Sequence, residues 1–316
     1  MKKFRPVIFI LFALLGCAAL LIFYKKENGK ARALTMQAQK YRVYLITMDR
    51  RDQHWFRLNE GAAKMAELLD IEYIWEAPEN RSNTRQIELI YEAVENGADL
   101  ILLAANDPVA LSTAIEDAKA RGVLIIYVDS PAYQEAVTTL ATDNYFAGRT
   151  AGRIMLEELE ERGISSGSVG IIGVSTSTNS TMNRELGFRE VLKEDGRFHI
   201  LDTVYLEGDP LASEEAAVQM IADHPDLVGL FGTNEGSSEG MGRAIKANRS
   251  KIIGIGFDRS DENIALLRDG SLQTIIAQNP YTMGYLGMAQ AYAALEGLDT
   301  GPREIDTGIS RLQRRE

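Results

Sequence analysis

From residue 41 onward, short apolar runs alternate with stretches whose apolar positions recur every three or four residues. YRVYLIT (41–47), rich in β-branched and aromatic residues, predicts a strand. After it, Trp55, Leu58, Ala62, Met65 and Leu69 fall on one face of a helix. The pattern then predicts strands at IEYIW (71–75), DLILLAA (99–105), VLIIYVD (123–129) and TTLATD (138–143), with helices over about 82–96 and 109–121. A second series follows. Its strands are SVGIIGV (168–174), HILDTVYL (199–206), LVGLFGT (227–233), IIGIGFD (252–258) and SLQTIIAQ (271–278). Its helices cover about 145–162, 181–193, 210–222, 236–247, 261–269 and 281–297.

Several of these strands are near-continuous runs of Val, Ile and Leu, as expected when both faces of a parallel sheet are covered. Alternating strands and helices predict an α/β fold. The units are too many for one sheet of usual width, so two doubly wound lobes fit better. In such sheets ligands bind outside the carboxyl ends of the strands.

The first residues follow a different pattern. Lys2, Lys3 and Arg5 precede an uncharged run of 19 residues from Pro6 to Tyr24, close to the length that spans a bilayer. Residues 1–24 read as an uncleaved signal anchor. Leu14-Leu15-Gly16-Cys17 also resembles a bacterial lipobox, which would make Cys17 a lipidation site, and a cleaved signal peptide is the third reading. All three place the body outside the cytoplasm. Residues 25–40 lack a sustained apolar stripe and read as a tether.

Composition narrows the chemistry. The chain has 316 residues and a net charge of −11, which disfavours a nucleic-acid backbone as partner. Cys17 is the single cysteine, so no intrachain disulfide forms. His54, His199 and His224 form no close cluster with it, so no metal is expected. P-loop, nucleophile-elbow and zincin spacings are missing, and neither an enzyme nor a cofactor is expected.

The strand ends carry the chemistry instead. Asp49, Asp52, His54 and Trp55 follow the first strand, Asn106-Asp107 the third and Asp129-Ser130 the fourth. Asn234-Glu235, Asp258 and Gln278 end strands of the second series, and Arg184 starts the helix after SVGIIGV. Carboxylates, amides and a guanidinium can hold hydroxyls bidentately, and a flat aromatic can cover the C–H face of a sugar ring. Singly, Asp129, Asn234 and Asp258 would read as helix N-caps. Together with Arg184 and Gln278 they point to a pocket. Trp55 reads as core or as a pocket wall, and Arg184 as pocket or as an exposed helix charge. Asp49 and Arg51 are expected to face solvent, and Gly148 and Gly152 to serve close helix packing.

In order and spacing, W-x-x-x-x-x-G-A (55–62), YVDSP (127–131), LATDNYFAG (140–148), R-x-x-GF (184–188), HPDLVGLFGTNE (224–235), IIGIGFD (252–258) and DGSLQTIIAQNP (269–280) resemble the type I periplasmic binding proteins, ribose/galactose-type branch. The resemblance covers about residues 41–310. It implies two doubly wound parallel-sheet lobes joined by a three-crossing hinge, with 41–143 plus 279–307 in one and 144–278 plus 308–316 in the other. It implies ligand contacts at Asp52, His54, Trp55, Asp129, Arg184, Asn234, Asp258 and Gln278. Ser130 stands where the ribose-type pattern has Arg, and LEGDP (206–210) lacks the aromatic often found there. The pocket is therefore altered from the ribose type, and the ligand is expected to be a sugar, a polyol or another small polar molecule. The expected partner is an ABC permease, or alternatively a membrane histidine kinase or chemoreceptor. The body is expected to be monomeric and tethered at the cell envelope.

Overall fold

The computed structural model describes residues 40–248 and 251–314. The expected anchor or signal, most of the tether and Cys17 lie outside the described residues. Among the described residues no helix is long and apolar enough to cross a membrane.

The strands in chain order are β1 (Arg42–Ile46), β2 (Glu72–Glu76), β3 (Leu100–Leu103), β4 (Leu124–Val128) and β5 (Thr139–Ala141), then β6 (Gly167–Gly173), β7 (Phe198–Ile200), β8 (Val204–Tyr205), β9 (Leu227–Gly232), β10 (Ile253–Phe257) and β11 (Thr274–Gln278), and finally β12 (Glu304–Asp306) and β13 (Ile309–Gln313). They form two sheets. The first has order β2-β1-β3-β4-β5-β12 and is parallel throughout. The second has order β7-β6-β9-β10-β11-β13, with β8 also on β6, and only β13 runs antiparallel.

The helices are α1 (Gln53–Leu68), α2 (Asn83–Glu95), α3 (Ser112–Ala120), α4 (Asn144–Glu161), α5 (Asn179–Asp195), α6 (Pro210–Asp223), α7 (Glu235–Ala247), α8 (Asp261–Asp269) and α9 (Pro280–Leu295). Side chains alternate across each strand, so every sheet feeds two cores. Val43 and Leu45 of β1 pack with Leu58 of α1 and Met288 of α9, whereas Tyr44 and Ile46 pack with Leu89 of α2 and Ile115 of α3. The second sheet is covered likewise, by α4 and α5 on one face and by α6, α7 and α8 on the other. This double burial is why the strands read as apolar runs.

The chain passes between the sheets three times. It leaves β5 for α4, returns from β11 to α9, and leaves β12 for β13. The predicted strand HILDTVYL divides at Leu201–Thr203, where α5 reaches the backbone: Arg189 donates to the Leu201 carbonyl (3.0 Å), and Thr203 Oγ1 donates to Glu185 (2.6 Å). β12 and β13 lack an apolar signature because they are polar edge strands, half-buried or exposed.

Two glycines set helix positions that matter below. A Cβ at Gly148 of α4 would lie 2.0 Å from the Arg184 carbonyl oxygen of α5. A Cβ at Gly61 of α1 would lie 2.0 Å from the Tyr281 carbonyl oxygen of α9. Only glycine permits these backbone approaches.

Candidate functional site

Parallel strands deliver the polar residues to one side of each sheet. β4 and β10 both end on an aspartate in the left-handed region, Asp129 and Asp258, each at φ 67°. Their amides still donate to the sheet, Asp129 N–H to the Leu140 carbonyl (2.8 Å) and Asp258 N–H to the Ile276 carbonyl (2.9 Å). The ladder is held up to the aspartate, and the chain turns there. A left-handed non-glycine residue costs about 1–2 kcal/mol, and such strain concentrates at functional sites. Neither aspartate caps a helix; Ser260 caps α8 instead.

His54, the second residue of α1, joins the two. Its Nε2 lies 2.9 Å from Asp129 Oδ2, off the line of a good hydrogen bond, and its Nδ1 lies 3.6 Å from Asp258 Oδ1. All three are buried. Burial by itself lowers the His54 pKa, but Asp129 and then Asp258 together turn the net shift upward. Burial raises Asp129, but His54 and then Arg184 hold it below the usual carboxylate range.

Arg184 is 2% exposed on α5, not a solvent-facing helix charge. Its guanidinium lies 3.8 Å over the Phe257 ring. Nε donates to Asn144 Oδ1 (2.8 Å) and Nη1 to the Thr233 carbonyl (2.9 Å), which leaves Nη1 3.8 Å from Asp258 Oδ2. Gln278 Nε2 donates to Asp258 Oδ1 (2.7 Å), while Gln278 Oε1 and Ser130 Oγ are buried without a hydrogen-bond partner among the described residues. Such atoms inside a cleft suit a ligand that brings its own donors and acceptors.

Asn234 has both readings at once. Its Oδ1 accepts the Ser237 N–H of α7 (3.0 Å), and its Nδ2 donates across the cleft to Asp52 Oδ2 (3.3 Å). Trp55 takes the core position. It is 2% exposed, edge-on to His54 at 4.8 Å between centroids, and its indole N–H donates to Asp49 Oδ2 (3.2 Å).

Asp49 corrects an expectation. It is buried, not solvated: besides Trp55 it accepts the backbone N–H groups of Arg51 (2.9 Å) and Asp52 (3.1 Å) and sits 3.4 Å from Arg81 Nε. Arg51 is exposed as expected and pairs with Asp209 across the cleft (3.0 Å).

Two more residues join the site: Arg81, which lies at no strand end, and Glu235, which stands at a strand end beside Asn234 but is not among the expected ligand contacts. Arg81, in the loop after β2, places a buried guanidinium beside Asp49, 3.8 Å from Asp52 Oδ2 and 3.4 Å from Asn106 Oδ1, to which it donates. Glu235, the first residue of α7, reaches the other lobe. Its Oε1 accepts the Gln53 N–H (2.7 Å) and its Oε2 the His54 N–H (3.1 Å), the free end of α1. Asp52 makes no side-chain cap on that helix, so Glu235 supplies the cap from across the cleft. Burial, then Asp52, raise Glu235 to about 9; burial, then Asp49, raise Asp52 to about 7.

Two cavities flank the cluster. One of about 440 Å³ is lined by His54, Asp258, Gln278 and Tyr281, and one of about 230 Å³ by Asp52, Arg81 and Gly208 among others. A larger cavity of about 700 Å³ beside Asn144 and Asp306 includes none of the eight strand-end candidates, so size does not mark the site. Among the described residues no group of His, Cys, Asp and Glu is placed to hold a metal ion.

The sequence profile of the periplasmic binding protein domain matches residues 43–299. The chain belongs to the periplasmic binding protein family. Within this family it falls in the type I fold and the ribose-type branch. The ribose import binding protein of Bacillus subtilis is 27% identical over 241 residues, covering 76% of this chain and 77% of that protein. A carbohydrate transporter solute-binding protein from Agrobacterium radiobacter, solved with D-arabinose, superposes with TM-score 0.82 at 26% identity, covering 88% of this chain and 95% of that one. A solute-binding protein from Agrobacterium vitis, solved with α-D-tagatopyranose, gives the same fold with TM-score 0.82 at 24% identity, covering 87% and 95%. In this periplasmic binding protein, His54, Asp129, Arg184, Asn234, Asp258 and Gln278 converge from both lobes on one buried cluster with Asp52 at its edge.

Proposed function

We propose that the chain is an extracytoplasmic solute-binding protein that captures a sugar or polyol between its lobes and delivers it to an ABC permease. The observation that carries this reading is the convergence of carboxylates, amides and a guanidinium from the ends of both sheets on one buried cluster. Asp52, Asp129 and His54 of α1 come from one sheet and its helices, and Asn234, Asp258, Gln278 and Arg184 of α5 from the other. A small polyhydroxylated molecule between them would hydrogen-bond to both lobes at once. It would therefore bind the closed form better than the open form and shift the population towards it. Relatives named as import binding proteins, and the arabinose-bound neighbour, support the sugar class and a binding rather than catalytic role. Ser130 and the aromatic-free turn at Glu207-Gly208 support a ligand other than ribose. The hinge would lie at the three crossings, with the lobes comprising 41–143 plus 279–307 and 144–278 plus 308–316.

The apolar run from Pro6 to Tyr24 would tether this body to the membrane, either as an uncleaved anchor or through a lipidated Cys17. The mass of the mature N-terminal peptide separates the two. The function is tested by thermal shift against a panel of pentoses, hexoses and polyols, followed by calorimetry on each hit. A saturable rise in melting temperature with at least one of them is expected. A flat response across the panel removes the sugar reading.

A further inference from the structure

The 230 Å³ cavity next to the cluster is walled from both lobes. Asp49, Arg51, Asp52, Asn80 and Arg81 form one side, and Glu207, Gly208 and Asp209 the other. Asp52 belongs to this wall and, through the 3.3 Å bond from Asn234, to the cluster itself. The cavity therefore adjoins the candidate site, with the Asp52–Asn234 bond between them. The backbone makes room for it. Gly208 is buried at φ 72°, and a Cβ there would lie 2.8 Å from Asn234 Nδ2 and 3.7 Å from Arg81 Nε. Where a side chain would fill this end of the cleft, the chain has none. The volume corresponds to about eight waters at ~30 Å³ each, which is room for one more sugar ring.

Arg81 gives the space its chemistry. Its side chain is 7% exposed, and Nη2 lies 3.8 Å from Asp52, beyond hydrogen-bond reach. No aromatic lines the cavity, so a ring there is held by hydrogen bonds at its edge, not by stacking. Four acidic side chains face two arginines, which disfavours an anionic group such as a uronate or phosphate. The roof is the Arg51–Asp209 ion pair, at 3.0 Å with side chains 41% and 36% exposed. An exposed pair of this kind contributes little stability, so it can part for an entering group at small cost.

The geometry points to a second subsite, in which the space between Arg81, Asp52 and Gly208 takes a neutral hydroxylated extension of the ligand, so that the protein binds a disaccharide or glycoside rather than a lone monosaccharide. This inference rests on the reading of the cleft as a carbohydrate site.

The test is calorimetry on the full-length protein in mild detergent. Neutral disaccharides are compared with their constituent monosaccharides, for wild type and for Asn80→Trp, which puts an indole on the exposed rim of the cavity. Arg51→Trp, on the same rim, is the second obstruction should the first fail to fold by circular dichroism. A disaccharide is expected to bind wild type roughly tenfold or more tighter than its parts, and the indole is expected to erase that preference. Monosaccharides that bind as tightly as every disaccharide, or a preference unmoved by both obstructions, overturn the subsite and leave the sugar-binding function standing. A wild-type protein that binds no carbohydrate overturns both.

Discussion

Asp129 and Asp258 occupy equivalent places in the two lobes, each turning left-handed one residue after a buried strand, and His54 lies between them. Asparagine tolerates that backbone better than other non-glycine residues, so Asp258→Asn isolates the charge from the turn. It keeps an amide oxygen for Gln278 but removes the carboxylate facing Arg184 and His54. Calorimetry is expected to show ligand affinity weakened roughly tenfold or more, with urea denaturation little changed. Asp258→Ala should lose affinity as well and cost about 1 kcal/mol more stability, because alanine bears the full left-handed penalty. Equal stability of the two variants would show that the turn stores no strain. These aspartates were legible in the sequence because a ligand site at the carboxyl ends of strands is a rule of topology. Arg81 was not: it lies in the polar loop ENRSN after β2, and nothing local distinguishes a buried guanidinium from a solvated one. Asp49 reads as solvated for the same reason, since its partners Trp55 and Arg81 are brought to it only by folding.

At the scale of elements, the apolar runs were readable because both sheets are covered on both faces. The edge strands β12 and β13 were not, because they bury little. The helix that presents Arg184 depends on a contact visible only as small residues in the sequence. α4 and α5 approach so closely at Gly148 that any side chain meets backbone at 2.0 Å, and backbone cannot rotate away. Gly148→Ala is therefore expected to force α5 outward, cost about 3 kcal/mol in urea denaturation, and move Arg184 enough to weaken binding. At Gly152 the nearest atoms are the Val191 Cβ at 2.9 Å and the Phe188 carbonyl oxygen at 3.1 Å, both fixed by the α5 backbone but overlapped far less than at Gly148. Gly152→Ala should cost about 1 kcal/mol and leave affinity near wild type. Two variants of equal stability would show that the helix crossing does not position the arginine.

For the whole molecule the decisive contact is Glu235, which caps α1 from across the cleft and would lose that cap in the proposed hinge opening. Parting the lobes would return its carboxyl, and that of Asp52, to water and towards their ordinary values of 4.5 and 3.8. In the closed form the same groups hold protons up to about 9 and about 7. Closure therefore takes up protons as the pH falls through this window, and closing becomes less favourable as the pH rises from about 5 to about 9. His54 acts in the same direction, since its raised pKa contributes stability below 6.5 that is lost as pH rises through the raised value. Asp129 sets the acid limit: its depressed pKa contributes stability above 3.8 that is lost as pH falls through the lowered value. A ligand that selects the closed form should consequently bind roughly tenfold tighter at about pH 6 than at about pH 8.5, the equivalent of about 1.4 kcal/mol. Glu235→Gln, neutral at every pH, should flatten the profile, leaving the smaller slope due to Asp52 and His54, and should weaken binding at about pH 6, because its single amide oxygen can accept from only one of the Gln53 and His54 N–H groups. An affinity independent of pH in the wild type, or a slope unchanged by Glu235→Gln, would show that the cap across the cleft does not govern closure.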